Sequence, residues 1–438
     1  MRIKTVPVDD HSCGWYQILP EPQPPRVLIG HQRADWVVVG GGFVGLASAR
    51  RLAELRPNDR IILVEALRIG QGSSGRNSGF VIDLPHKRDL ENPDIDFKRK
   101  IIGLNEAAIQ SLEEVVIRHN IDCQWSRAGR YQAAVGARGI DYLNKYKLLL
   151  KNIDHPHTWL DRAALARVLG TSYYEAGIFI PTGILMQPAA LVRGLGRTLP
   201  SNVEVYESSP ILCFDRSAGK FELRTPQGSI ACPKLLLGTN VYSAEFGFLK
   251  SRMVPVMTFA SITRPLTSRE FDAYGGEENW GLTPADHAGT TLRFTSDRRL
   301  LIRNQYRFAP DYASTESRRA AVRQKHREGL ANRYPRLSEV EFEYTWGGVC
   351  GLSRNYTAFF GKLDDGIYTS ACHQSVGAAR GTISGQLLAE LAMGQDSNLL
   401  SDMIAVSGMP APNPPEPFLG IGVRTRMKYE AWVSRSEI

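Results

Sequence analysis

Three glycines at fixed spacing and one distant carboxylate are the first residues here with a chemistry attached. Gly40, Gly42 and Gly45 form G-x-G-x-x-G directly after Val37, Val38 and Val39. In such a turn the first glycine permits the bend. The second lets the backbone approach a pyrophosphate, and the third lets a helix lie close on the strand. Glu65 follows Gly45 by twenty residues, the usual place for an acid that accepts hydrogen bonds from ribose hydroxyls. A carboxylate there repels a 2′-phosphate, which disfavours NADP. Next comes Gly70-Gln-Gly-Ser-Ser-Gly-Arg-Asn-Ser-Gly79. The chemistry is dinucleotide binding.

The elements that must position these groups are legible around them. Val37–Val39 read as a strand covered on both faces. Leu46, Ala47, Ala49, Leu52 and Leu55 recur at helical spacing. The N-terminus of that helix carries roughly half a positive charge and free N–H groups, which favour a diphosphate. Residues 60–65 form the second strand. Farther on, apolar periodicity predicts helices at 97–118, 162–169, 188–199, 316–333 and 378–393. Strands are expected at 203–208, 211–214, 221–225 and 235–238, in a β-rich stretch at 253–308, and at the start of 367–393. A last helix is expected near 425–433.

A nucleotide unit opens the chain, β-rich material interrupts it, and a strand–loop–helix closes it. That order predicts an α/β fold with a discontinuous Rossmann-type domain and an inserted antiparallel substrate domain. The expected division is a lead-in at 1–33 and a nucleotide domain at 34–95, 160–245 and 345–400. The substrate domain takes 96–159 and 246–344, and a tail with a helix takes 401–438.

Composition narrows the class. The chain has 438 residues and a formal net charge of +8, enough length for two domains. No Lys/Arg tract interleaved with aromatics appears, so nucleic acid is not expected as a partner. No apolar run approaches the ~20 residues of a membrane span. The N-terminus lacks a signal-peptide core. The six cysteines are scattered without C-x-x-C, so neither a metal site nor a disulfide framework is expected. A cytoplasmic location follows as an expectation.

Further segments carry a resemblance. They are the loop Gly70–Gly79, Leu235-Leu-Leu-Gly-Thr-Asn-Val-Tyr242, Trp346-Gly-Gly348 and Gly366-Ile-Tyr-Thr-Ser-Ala-Cys-His-Gln-Ser-Val-Gly377. Gly14-Trp15-Tyr16 and Met253-Val-Pro-Val256 join them. Together they resemble the D-amino-acid oxidase-like flavoprotein superfamily, in its gamma-glutamylputrescine oxidase and sarcosine oxidase branch. The resemblance implies a glutathione-reductase-like FAD-binding domain and non-covalent FAD. It implies that Gly40, Gly42 and Gly45 approach the pyrophosphate and that Glu65 holds the ribose. Ser73, Ser74, Arg76 and Asn77 would line the path to the flavin. Val205 (or Val203) would pass beside the adenine, Gly238 and Thr239 would pack near the nucleotide, and Gly377 would approach the flavin ring edge from a helix N-terminus.

The implied activity is oxidation of the C–N bond of a small amine or amino acid. Hydride goes to the flavin, the imine hydrolyses, and electrons pass to O2, giving H2O2, or to another acceptor. Alternatives are dehydrogenation of a hydroxy acid or glycerol phosphate, and a non-catalytic flavin-binding subunit. His373, Gln374, Arg303, Trp346 and Tyr306 are the candidates for the substrate side. Strand alternation puts Arg299, Leu301, Arg303, Gln305 and Arg307 on one face. Three departures from the pattern stand out. Ser375-Val376-Gly377 replaces Gly-His-Gly, no lysine occurs in Arg299–Arg303, and Cys350 lies near the segment that tethers flavin in some members.

Overall fold

The runs Trp36–Val39 and Ile61–Val64 are buried at every position, as strands sandwiched between two apolar layers must be. In the computed structural model, which describes the chain apart from residues 86–88, 90, 91, 218 and 287, they pair in parallel within a six-stranded sheet. Its spatial order is Phe359–Asp364, Ile367–Ala371, Lys234–Leu237, Trp36–Val39, Ile61–Val64, Val203–Tyr206. Only the first pair is antiparallel.

Side-chain alternation divides two cores. Val38, Leu63 and Leu236 face helices Phe43–Leu55, Ile95–Arg118, Pro188–Arg197 and Gly377–Ala392. Val37, Val39, Ile62, Val64, Leu235 and Leu237 face a four-stranded sheet that supplies Leu223 and Ile230. Helices Phe43–Leu55 and Gly377–Ala392 nearly touch. A Cβ at Gly385 would stand 2.3 Å from the Val44 carbonyl oxygen, and Ser48 Oγ donates to the Gly385 carbonyl at 2.8 Å. That contact ties the start of the chain's nucleotide unit to its distant closing helix.

A second, eight-stranded sheet runs Phe342–Leu352, Val254–Thr263, Leu300–Phe308, Thr291–Phe294, Trp280–Pro284, Arg130–Ala134, Ala176–Ile180, Thr158–Asp161. It is antiparallel except between Trp280–Pro284 and Arg130–Ala134. One face meets the nucleotide unit through Trp15, Ala189, Ile262, Leu301 and Trp346. The fold is therefore α/β, with a Rossmann-type sheet and a second, mostly antiparallel one.

Segment membership differs from the sequence division in three places. Helix Ile95–Arg118 packs into the nucleotide core through Leu104, Ala108 and Leu112. Strands Thr158–Asp161 and Ala176–Ile180 join the eight-stranded sheet, as does Phe342–Leu352. Periodicity shows that an element has a buried face, not which sheet covers it. Residues 86–88, 90 and 91 of the 34–95 segment lie outside the described residues.

The lead-in is integral rather than loose. Trp15 and Leu28 are fully buried, and Gly30–Arg33 pairs in parallel with Gly228–Cys232. The last helix spans Phe418–Val433, starting before the expected 425. Gly420 and Gly422 weaken its helical signal. Packing of Leu419 and Val423 against Val254, Val256 and Phe308 outweighs that cost.

Candidate active site

The glycine turn is built as three backbones in mutual contact. Gly40 has φ +102°, and a Cβ on it would stand 2.8 Å from the Gly238 carbonyl oxygen. A Cβ on Gly45 would lie 1.8 Å from the Gly40 carbonyl oxygen. A Cβ on Gly238 would lie 2.8 Å from the Gly45 nitrogen. Gly238 thus closes the turn from a neighbouring strand, which explains a glycine nearly two hundred residues away. A Cβ on Gly42 would meet only the Ser74 hydroxyl, at 2.8 Å.

Glu65 stands at the end of its strand with Oε2 accepting from Gly41 N–H at 2.6 Å and Oε1 from Leu67 N–H at 2.9 Å. Burial pushes this carboxyl above its usual value, against the pull of those N–H groups. Such an acid gains from additional hydroxyl donors. Half-buried Val205 and the buried Val203 lie on the adjacent strand. Thr239 Oγ1 turns into the Asn240–Ala244 turn, 2.8 Å from Ser243 Oγ.

The loop Gly70–Gly79 is held from several sides. Ser74 Oγ accepts from the first helical N–H, Phe43, at 3.2 Å. Ser73 Oγ donates to the Val349 carbonyl at 2.6 Å. Asn77 braces the loop by donating to the Ser74 carbonyl and accepting from Gly79 N–H. Arg76 does not offer its guanidinium as a free phosphate ligand. It is bound to Asp9 at 2.8 Å, to Asp10 and the Gly347 carbonyl at 3.0 Å, and to the Gln71 carbonyl at 2.7 Å. Its position serves loop ordering, and the sequence motif alone gave no sign of Asp9 and Asp10.

The substrate-side candidates separate. Trp346 is fully buried, edge-on to Trp15 at 6.2 Å, with Nε1 donating to the Arg76 carbonyl. Gln374 is buried and spends its amide on Ser353 Oγ, the Cys372 carbonyl and Ser353 N–H. His373 turns toward Ile101, Leu104, Ile383 and Met403 between helices, with neither ring nitrogen bonded. Trp346 and Gln374 thus spend their polar groups inside the packed interior, and His373 lines a narrow space between those helices. The strained backbone at Cys372, Gln374 and Ser375, each with positive φ, is what turns successive side chains apart.

Arg303 behaves otherwise. Asn304 is an extra residue opposite Phe259 and Ala260, and this bulge breaks the simple alternation. Leu301, Arg303, Tyr306 and Phe308 share one face, while Ile302, Gln305 and Arg307 share the other. On the first face, the pairing aligns Arg303 with Ala260 and Trp346, and Tyr306 with Thr258 and Gly348. Arg303 donates to Tyr306 Oη at 2.6 Å and Thr291 Oγ1 at 2.9 Å. It is half-buried and forms no ion pair among the described residues. Gly348 abuts Arg76 of the loop, and Cys350 on the same face lies 3.3 Å from Ser375 Oγ, beside the helix opened by Gly377. A Cβ on Gly377 would meet no protein atom within 4 Å. Open space thus lies at the helix mouth.

The sequence matches the family described as FAD dependent oxidoreductase, DAO, over residues 35–391. The chain belongs to this DAO family. The probable oxidoreductase OrdL of Haemophilus influenzae is 27% identical, covering 86% of each chain. Gamma-glutamylputrescine oxidoreductase of Escherichia coli is 25% identical over 88% of this chain and 90% of its own. Glycine oxidase of Geobacillus kaustophilus has the same fold, with a TM-score of 0.70 at 18% identity, covering 84% of this chain and 96% of its own.

This DAO family protein is an FAD-dependent oxidoreductase, and its cofactor is FAD. The geometry fits that group. The space before Gly42, the carboxylate of Glu65 and the open helix mouth at Gly377 are the features a dinucleotide flavin needs. Burial raises the Cys350 thiol pKa above its usual value. Sequence reading named Trp15 only as part of a motif, without a role, and missed Arg293 altogether. Trp15 donates to the Asn77 carbonyl at 2.9 Å, and fully buried Arg293 donates to the Met186 and Gly79 carbonyls. An arginine inside the otherwise apolar strand Thr291–Phe294 was the available signal for the second.

Two buried histidines make a pH prediction. Burial drives both His326 and His373 down to about 3, with Arg303 and Arg380 adding to the effect. Their folded pKa lies below the unfolded value near 6.5, so the unfolded chain binds more protons between those limits. Stability is complete above about pH 6.5 and falls as pH drops toward 3, by about 1 kcal/mol per pH unit per histidine. Thermal melts from pH 7 to 5 are expected to show this slope. His373→Leu should reduce it by about half.

Proposed function

We propose that this enzyme oxidises the C–N bond of a small amino acid or carboxylate-bearing amine. The observation carrying the reading is Arg303, a half-buried cation without a carboxylate partner among the described residues, on the face that meets the cofactor loop. Bound FAD supplies a two-electron acceptor for the hydride that leaves the carbon beside nitrogen. Arg303 binds the substrate carboxylate through its planar fork. Tyr306 and Thr291 hold that guanidinium from its other edges. Thr258 and Gly348, next along that face, are small and half-buried. A neutral amine needs no dedicated base, so binding and exclusion of water are the protein's main tasks. Water then hydrolyses the imine to a carbonyl compound plus ammonia or a smaller amine.

The names of two similar proteins, gamma-glutamylputrescine oxidoreductase and glycine oxidase, support a nitrogen-bearing substrate. For the acceptor we favour O2, giving H2O2. Strands 254–263, 300–308 and 342–352 contain no lysine, and Arg303 is the cation available on that face. All six cysteines are unpaired, which supports a reducing, cytoplasmic setting. Among the described residues no helix is long and apolar enough to cross a membrane.

The test is anaerobic mixing of the yellow holoenzyme with matched amines, each with and without a carboxylate. Bleaching of the flavin by the carboxylated members alone is expected. Bleaching by lactate or glycerol 3-phosphate, and by no amine, would replace this reading with the hydroxyl-oxidising alternative. Aerobic turnover is expected to release stoichiometric peroxide.

A further inference from the structure

The helix Phe418–Val433 has two apolar faces, and only one is covered. Leu419, Val423 and Met427 pack on Val256 and Phe308 of the eight-stranded sheet. Phe418, Ile421, Tyr429 and Trp432 point the other way, with exposures of 68%, 59%, 51% and 63%. At 3.6 residues per turn these four fall within an arc of about 80° on the far side of the helix. Lys428 flanks the stripe, Arg424 lies at its edge with its guanidinium 5.4 Å over the Phe308 ring, and Arg435 lies just past its end with its guanidinium over the Trp432 ring. None of these three cations forms an ion pair among the described residues. The acids nearby are engaged elsewhere: Glu430 pairs with Arg426 and Arg138, and Glu416 accepts from Gly420 N–H.

The stripe is also rigidly presented. Beyond the helix, Ser434 and Glu437 are buried, Glu437 accepts from Val135 and Asp286 N–H, and Arg333 donates to the Glu437 carbonyl at 2.7 Å. A helix packed on the sheet and anchored just beyond its C-terminal end holds its outer face toward solvent at little ordering cost to a partner.

We propose that this face docks the protein, without insertion across it, on a membrane surface rich in anionic lipid. Aromatic and aliphatic side chains in line, with tryptophan and tyrosine among them and unpaired cations beside them, match the interfacial zone of a bilayer. There apolar bodies enter the acyl boundary and cations meet phosphate headgroups. A second copy of this chain fits less well. At roughly 200 Å² per large side chain, the exposed stripe offers only about 480 Å² from each copy. That falls short of the ~1,200 Å² of total buried surface at the low end of stable interfaces. A two-fold pairing would also bring Arg424 and Lys428 against their own copies.

The experiment is co-sedimentation of the full-length holoenzyme with vesicles of phosphatidylcholine alone or with 30 mol% phosphatidylglycerol. Binding to the phosphatidylglycerol vesicles is expected, weakening as NaCl rises. Arg424→Gln with Lys428→Gln should reduce it about 25-fold, roughly 5-fold per cation. Phe418→Ser with Trp432→Ser should abolish it. Flavin absorbance and turnover in both variants report that the protein is folded. Protein that stays in the supernatant with phosphatidylglycerol vesicles overturns the proposal, as does equal binding to both vesicle types. A vesicle-free dimer in sedimentation equilibrium that the Phe418/Trp432 variant dissolves would assign the face to a second copy instead.

Discussion

Gly45→Ala is expected to leave the protein colourless and poorly folded. The added Cβ would stand 1.8 Å from the Gly40 carbonyl oxygen and 3.0 Å from its carbon. Both atoms are backbone, and Gly40 is itself pinned: its N–H donates to the Val64 carbonyl at 2.8 Å. Gly238 presses from the third side, so the helix cannot retreat without opening the sheet. A cost of about 4 kcal/mol or more is expected, at the upper end for single substitutions, with a Tm lower by about 4 °C or more. Gly42→Ala makes the contrast. Its Cβ would meet only the Ser74 hydroxyl, which can rotate away. That variant should fold with a near-normal apoprotein Tm but bind FAD about 10- to 100-fold more weakly, because charge-assisted N–H contacts to the pyrophosphate are lost. Calorimetry of the apoproteins and flavin titration would read the two effects separately. Equal behaviour of the two variants would mean that the three-glycine contact does not control the fold.

Arg303→Leu is expected to raise KM for carboxylate-bearing amines by about 10²- to 10³-fold. Removing one partner of a desolvated charge pair costs about 2–5 kcal/mol, much of it from the carboxylate left without a cation. Amines lacking a carboxylate should show little change, which separates recognition from general damage. Arg303→Lys should recover only part of the loss, since a point charge cannot replace the planar fork held by Tyr306 and Thr291. Flavin content should stay normal in both. Unchanged KM for the acidic substrates would make Arg303 a brace for Tyr306 and Thr291 alone.

The substrate face shows why sequence alone was insufficient there. Alternation put Arg303 with Gln305 and Arg307, but the bulge at Asn304 pairs it with Tyr306. A bulge is a property of two strands in register, and one strand's residues do not announce it. His373 and Gln374 lie just before Gly377 in sequence, yet positive φ at Cys372, Gln374 and Ser375 accompanies their turn into the core. Trp346 belonged to a motif whose resemblance pointed to the flavin region. In the fold its ring fills the seam against Trp15 while the small Gly348, two residues on, takes the face beside the loop.

What the sequence determined by itself was local. The strand, turn, helix and acid from Trp36 to Glu65 dictate a nucleotide cradle, because each role depends on steric limits within one short stretch of backbone. The Gly70–Gly79 loop and the distant helix at Gly377 carried the family and therefore FAD. What only the tertiary structure decided was convergence. Gly238 meets Gly40 and Gly45, Asp9 and Asp10 occupy Arg76, and a bulge aims Arg303. Those relations join residues tens to hundreds of positions apart, where packing and register set the outcome and no spacing rule reaches.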